Sequence, residues 1–108
     1  MIKEKLVLRN ENEICPIDIN NLVAVTIDNY LCSFYIENRN VFRCIKTLKE
    51  VEQQLPDYFI KLNRSCLINV KKVQSVNIRE KTVRLSSGIS FNFSAQHLKA
   101  LEQALGLD

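Results

Sequence analysis

Along most of the chain, apolar residues recur in short runs broken by polar, turn-forming clusters, the pattern of β-strands rather than of long helices. These runs predict strands over Lys5 to Arg9, Leu22 to Ile27, Leu31 to Ile36, Asn40 to Ile45, Tyr58 to Leu62, Val73 to Ile78, Thr82 to Leu85 and Ile89 to Phe93. Three of the connections read as tight hairpins. Glu37-Asn38-Arg39-Asn40 supplies asparagines that tolerate a left-handed backbone, Arg79-Glu80-Lys81 is a short charged turn, and Ser86-Ser87-Gly88 offers the glycine that a bulged loop favours. The last pair alternates most cleanly. Val83 and Leu85 flank Arg84, while Ile89, Phe91 and Phe93 flank Ser90 and Asn92, so one face of that hairpin is expected to be buried.

Two segments change period. Thr47-Leu48-Lys49-Glu50 has the S/T-x-x-E form of a capping box, in which Thr47 and Glu50 satisfy each other's free backbone N–H groups, and Pro56 marks the end of the helix. Leu48, Val51 and Leu55 recur at helical spacing and read as core contacts rather than a partner-binding face. The second helix is expected to begin at Ser94, whose hydroxyl would cap the first turn. Leu98, Leu101 and Leu105 would form its apolar stripe, and Gly106 sits where a left-handed C-terminal residue is favoured. The expected fold class is therefore mainly β with small helices.

With 108 residues, the chain is the length of about one domain, and residues 1–108 are expected to form a single one. No linker, repeat or low-complexity segment interrupts it. The composition, 46% hydrophobic and 25% charged, is that of an ordinary globular protein. No apolar run approaches the roughly 20 residues of a membrane-spanning helix. The N-terminal Met1-Ile2-Lys3-Glu4-Lys5 mixes charges and is not followed by the apolar core and cleavage site of a secretion signal, which makes the cytoplasm the expected location.

The four cysteines, Cys15, Cys32, Cys44 and Cys66, form no C-x-x-C pair and have only His97 as a histidine co-ligand, so no metal site is expected. Their apolar neighbours suggest reduced thiols serving as small core residues. The competing reading is redox sensing by Cys66, whose neighbour Arg64 could lower a thiol pKa, or by Cys32.

The net charge of +3 is unevenly distributed. From residue 61 to residue 84, Lys61, Arg64, Lys71, Lys72, Arg79, Lys81 and Arg84 stand against Glu80 alone. Such a cluster is either an electrostatic footprint for phosphate or a solvated basic face. The chain has no Gly-rich phosphate loop, no H-E-x-x-H and no G-x-S-x-G, and His97 lacks a recognisable nucleophile or orienting partner. No catalysis, cofactor or small-molecule substrate is expected. In the first turn of a helix capped by Ser94, Gln96 and His97 would instead lie where free N–H groups and the helix dipole attract an anion.

The most informative segment is Phe59-Ile60-Lys61-Leu62-Asn63-Arg64-Ser65-Cys66-Leu67-Ile68-Asn69, in which a β run meets a short apolar turn through a polar, basic elbow. It resembles the signature of the LytTR family: an aromatic, an Arg or Lys, a His-Arg-Ser-like triplet and a Val-Asn-like pair at this spacing. The resemblance runs from about Ile14 to Leu105. It includes Asn21-Leu22, Asn29-Tyr30, Thr47-Leu48-Lys49-Glu50 through Leu55, and Ser94.

That resemblance implies an elongated assembly of antiparallel sheets that binds promoter DNA through loops rather than a recognition helix, in bacterial transcription regulation. The partner would be double-stranded DNA carrying direct repeats, bound by a homodimer or by tandem copies. By position, the contacts would come from the loop at Asn29 and Tyr30, the elbow at Asn63 and Arg64, and the turn after Ser94. Lys61, Arg64 and Ser65 match the family pattern and lead the candidates, while Leu67, Ile68 and Asn69 match but look structural. Arg64 could bond a base edge bidentately or enter a minor groove, Lys61 could neutralise a phosphate, and Ser65 could donate to a phosphate oxygen. Asn63 could read a base edge or cap the turn, with capping favoured.

Two departures from the family matter. Asn63 stands where histidine is usual, and Ala95 and Gln96 stand where basic residues usually follow the serine. Gln96 could still hydrogen-bond adenine. The loop near Tyr30 carries Asp28, Asn29 and Cys32 and no clear cation. Many LytTR domains follow a receiver domain, for which this chain has no room, so it reads as a one-domain regulator or an excised fragment. The alternative function is a protein-interaction or antagonist module that keeps the fold without binding DNA.

Overall fold

The computed structural model describes residues 4–107. Ten strands and two α-helices follow one another as β1 (Lys5–Arg9), β2 (Ile14–Asp18), β3 (Leu22–Asp28), β4 (Leu31–Ile36), β5 (Phe42–Ile45), α1 (Leu48–Gln54), β6 (Phe59–Asn63), β7 (Cys66–Asn69), β8 (Val73–Asn77), β9 (Thr82–Leu85), β10 (Ser90–Asn92) and α2 (Leu98–Leu105). All strand pairings described are antiparallel, and the extents of 42 × 31 × 25 Å make the molecule elongated, as the resemblance implies.

A five-stranded sheet, ordered β5-β4-β3-β7-β6, lies in the middle. The β1–β2 hairpin and α1 pack on one face around Leu6, Leu8, Ile17, Val25, Phe34 and Val51. A three-stranded sheet, β10-β9-β8, and α2 cover the other face around Val23, Ala24, Leu62, Ile68, Val83 and Leu101. Tyr35 and Phe91 meet edge to face at 5.3 Å between the two sheets. A sheet covered on both faces needs continuous apolar strands. This accounts for Cys66–Asn69, expected to be a short apolar turn but in fact strand β7, with all four residues buried.

Two bulges let single strands serve both cores. In β3 the register shifts between Leu22 and Ala24, so Leu22 and Val25 face one core while Val23 and Ala24 face the other. In β6 the shift lies between Lys61 and Asn63, which sends Phe59 to the first core and Leu62 to the second. Strand β2, absent from the sequence expectation, alternates exposed and buried residues opposite β1. Its Pro16 is tolerated because a two-stranded ribbon leaves each strand one unpaired edge.

The hairpin expectations hold in detail. Asn38, Lys81 and Ser87 carry positive φ in the β4–β5, β8–β9 and β9–β10 connections, and Gly88 follows at φ 78°. Val83, Leu85 and Phe93 are buried, with Ile89 and Phe91 packed against them. Helix α1 starts at the expected cap, with Thr47 Oγ1 accepting from the Glu50 N–H at 3.1 Å. The box is only half formed, since the Glu50 carboxylate accepts from the Thr47 hydroxyl at 3.0 Å rather than reaching back to a backbone N–H. Leu48 and Val51 are buried in the core as read.

The second helix departs from expectation. Ser94 makes no side-chain capping bond, a 3-10 turn spans Ala95–His97, and the α-helix begins only at Leu98. Gly106 closes it at φ 88°. Leu101 is buried, whereas Leu105 remains 42% exposed, so the stripe is only partly core.

All four cysteines are free and buried. Burial pushes the Cys66 thiol up to about 12 and, with the neighbouring Cys44, the Cys32 thiol up to about 11. The redox-sensing reading is therefore overturned in its premise, because neither thiol is exposed or thiolate-prone. No helix among the described residues is long and apolar enough to cross a membrane.

Candidate nucleic-acid interface

Strand pairing gathers the candidate loops at one end of the central sheet. Thr26 pairs with Cys66, and one step further along the Ile27 N–H donates to the Ser65 carbonyl at 2.9 Å. The β3–β4 turn at Asn29 and Tyr30 and the β6–β7 elbow at Asn63 to Ser65 are thus neighbours. The small sheet joins them: the Ser94 N–H donates to the Leu62 carbonyl at 2.9 Å, and the Phe93 N–H donates to the Lys81 carbonyl at 2.9 Å.

The elbow is built around Asn63. Its Oδ1 accepts from the Ser65 N–H at 2.9 Å and the Ser65 hydroxyl at 3.0 Å, while its Nδ2 donates to the Asn92 carbonyl at 2.8 Å. Asn63 therefore caps the turn, the favoured of the two sequence readings, and with Ser65 it forms the frame of the elbow. Arg64 projects from the tip, exposed. Lys61, one turn of pleat back along β6, is half-buried with its ammonium 4.0 Å from Glu52 of α1.

At the neighbouring turn, Asn29 takes the left-handed conformation at φ 57°, and Tyr30 is 69% exposed. Asp28 beside them is exposed as well. On the α2 side, Ser94 Oγ and His97 Nδ1 share a hydrogen bond at 2.6 Å, and the hydroxyl also lies 3.4 Å from the Leu62 carbonyl. That pair leaves Nε2 as the ring atom available to a ligand. Gln96 is exposed in the 3-10 turn. A helix dipole starting at Ser94 is not available there, because the regular helix starts four residues later.

The basic cluster does not form one patch. Lys61, Arg64 and the Arg79-Glu80-Lys81 turn lie toward the elbow, the last through the Lys81–Phe93 contact. Lys71 and Lys72 sit in a 3-10 turn after β7, at the opposite end of the strand. There Lys72 pairs with Glu37 at 2.6 Å and Lys71 lies 4.0 Å over the Tyr58 ring. Asn69 closes that end, fully buried, donating to the Leu22 carbonyl at 2.9 Å and accepting from the Lys71 N–H at 2.9 Å. It is structural, as the sequence suggests.

Sequence reasoning missed Lys46. Its N–H donates to the Tyr30 carbonyl at 3.1 Å, one step past the Leu31–Ile45 pair, so it stands beside the Asn29–Tyr30 turn. Strand register, not sequence proximity, brings it there. Among the described residues no cluster of His, Cys, Asp and Glu could hold a metal. A 780 Å³ cleft opens at the end away from the elbow, where the Arg39 guanidinium donates to Cys15 Sγ at 3.0 Å beside Tyr35 and Ser87. Glu13 lines it as well, and the one side-chain hydrogen bond described there is the Arg39–Cys15 contact.

A family model described as the LytTr DNA-binding domain matches residues 12–106. Among solved structures, the chain is similar to the LytTr DNA-binding domain of a protein described as a methyl-accepting/DNA response regulator from Bacillus cereus. That likeness has a TM-score of 0.82 at 18% identity and covers 97% of this chain and 99% of that one. No curated protein matches the chain. The match over nearly the whole length, with the antiparallel fold and the elbow described above, places the protein in a family of DNA-binding domains: the chain belongs to the LytTR family.

Proposed function

We propose that this chain is a sequence-specific double-stranded DNA-binding unit in bacterial transcription regulation, acting as one LytTR domain and reading promoter DNA through loops. The observation that carries this reading is the convergence of the Asn29–Tyr30 turn, the Asn63–Ser65 elbow and the Gln96–His97 turn at one end of the sheet. Arg64 is the leading base reader, since an exposed guanidinium on a fixed turn can bond guanine bidentately or enter a minor groove. Lys61 adds charge toward phosphate, reduced by Glu52. His97 Nε2 and the Gln96 amide offer further polar contacts, and Ser65 and Ser94 chiefly hold the loops in place. The working form is two copies on direct repeats, in the cytoplasm, with no catalytic step.

The test is selection of bound fragments from a random duplex pool, followed by fluorescence anisotropy of the enriched duplex against a scrambled one across salt concentrations. An enriched motif, with log affinity falling by about 0.9 per phosphate contact for each tenfold rise in salt, supports the reading. A folded sample that enriches nothing and binds neither duplex rejects it and favours an interaction module. One feature favours that second reading: Ile45, on edge strand β5, is 73% exposed beside Leu31 at 40%.

A further inference from the structure

We propose that Lys46 is a phosphate-binding residue of the DNA interface, holding the nucleic-acid backbone on the β5 side of the Asn29–Tyr30 turn. The inference rests on the DNA-binding reading above and assigns the cation that the turn itself lacks, since Asp28, Asn29 and Tyr30 carry none.

Lys46 is held from both sides of its peptide. Its N–H donates to the Tyr30 carbonyl at 3.1 Å, and its carbonyl accepts from the buried Cys32 thiol at 3.3 Å. The next residue, Thr47, is fixed as the cap of α1. A lysine whose main chain is pinned loses less freedom on engaging a ligand than one on a loose loop. Among the described residues the ion pairs are Lys61–Glu52 and Lys72–Glu37, so Lys46 has no carboxylate at ion-pair distance. The nearby Glu50 carboxylate is engaged by the Thr47 hydroxyl.

Position supplies the second part of the case. From β5 across β4 and β3 to the β7–β6 elbow is three to four strand spacings, roughly 14 to 19 Å at about 4.8 Å each. Lys46 and Arg64 thus stand at the two sides of one end of the sheet, with Asn29 and Tyr30 between them. A major groove is about 12 Å wide. The row is broader than the groove, so when Arg64 reaches base edges, the β5 side falls over the phosphate backbone, where a lysine serves as a point charge without needing a base partner.

The test measures salt-dependent anisotropy of Lys46→Gln, Lys46→Arg and Lys71→Gln, with the duplex enriched from the random pool and an unrelated duplex of equal length. The substitutions at residue 46 leave its backbone hydrogen bonds in place. Lys46→Gln is expected to weaken both duplexes alike, by about eightfold at 0.1 M salt, and to reduce the salt slope by about 0.9. Lys46→Arg is expected to retain the slope, and Lys71→Gln, at the far end, to leave it unchanged. An unaltered slope in Lys46→Gln, with Arg64→Ala still impaired, overturns the assignment and leaves the DNA-binding reading standing. A loss confined to the enriched duplex overturns it in favour of base reading. Salt-independent wild-type behaviour with no binding removes both.

Discussion

Asn63 Nδ2 donates to the main-chain carbonyl of Asn92 at 2.8 Å, tying the elbow of the central sheet to the last strand of the small one. The bond holds the elbow backbone from which the exposed Arg64 projects, and Asn63 itself carries no charge. Asn63→Ala is therefore expected to weaken the enriched duplex by on the order of 1 kcal/mol, roughly fivefold, while leaving the salt slope intact. Anisotropy at several salt concentrations separates this from the loss of a phosphate contact.

Arg64 and Lys61 should behave differently in the same assay. Arg64→Ala is expected to cost about 1 to 3 kcal/mol on the enriched duplex and to relax the preference for it, whereas Lys61→Ala weakens all duplexes evenly. Because Glu52 lies 4.0 Å from the Lys61 ammonium, Glu52→Gln should tighten binding to both duplexes. Equal effects of Arg64→Ala on every sequence would contradict base reading.

Asp28 places an exposed carboxylate next to the Asn29–Tyr30 turn. If that turn faces phosphate, Asp28→Asn should raise affinity at low salt, with the gain fading as salt screens the repulsion over a Debye length of about 10 Å at 0.1 M. Titrations at low and high salt check the trend, and an unchanged affinity at low salt would place the turn away from the backbone.

Strand β7 and Lys46 were hidden for one reason: each takes its place from partners distant along the chain, whereas β2, a local partner of β1, is short and interrupted by Pro16. Alternation exposed the β9–β10 pair, because one face of it meets solvent. Strand β7 shows no alternation, because Leu67 faces one core while Cys66 and Ile68 face the other. The elbow was legible from its order of residue types, and its capping by Asn63 from the chemistry of asparagine. Lys46 was not, since only the β4–β5 register brings it to Tyr30. The start of the second helix was misplaced because the Ser94 hydroxyl bonds His97 instead of a backbone N–H.

The thiols give a pH prediction. Cys66 has its folded-state pKa raised from 9.0 to about 12 by burial, so the native state keeps its proton where the unfolded chain loses it. The resulting stability is fully present below about pH 9 and is lost as pH rises from there toward 12. Denaturation midpoints should fall over that window, and less steeply in Cys66→Ala. At pH 8 the native protein should react slowly with a thiol reagent, and all four cysteines should react on unfolding. Rapid native labelling of Cys66 would contradict its burial.

Asn69 is the buried polar residue on which the far end of the sheet depends. Asn69→Ala leaves the Leu22 carbonyl and the Lys71 N–H without their partners, and a loss of about 1 to 3 kcal/mol in denaturant unfolding is expected. DNA affinity of the folded fraction should hold, because the proposed contact loops lie at the other end.

The bulge at Val23 makes β3 a partition between two separately sealed compartments. Local opening on one side is expected to leave the other closed to water. Amide exchange should therefore be slowest in β3 and β7, with the β1–β2 hairpin free to exchange as its own cooperative unit while the small sheet stays closed. The elbow and the 3-10 turn after Ser94 are joined to the small-sheet side, so excursions of the N-terminal hairpin are expected to leave the proposed DNA-contacting surface undisturbed.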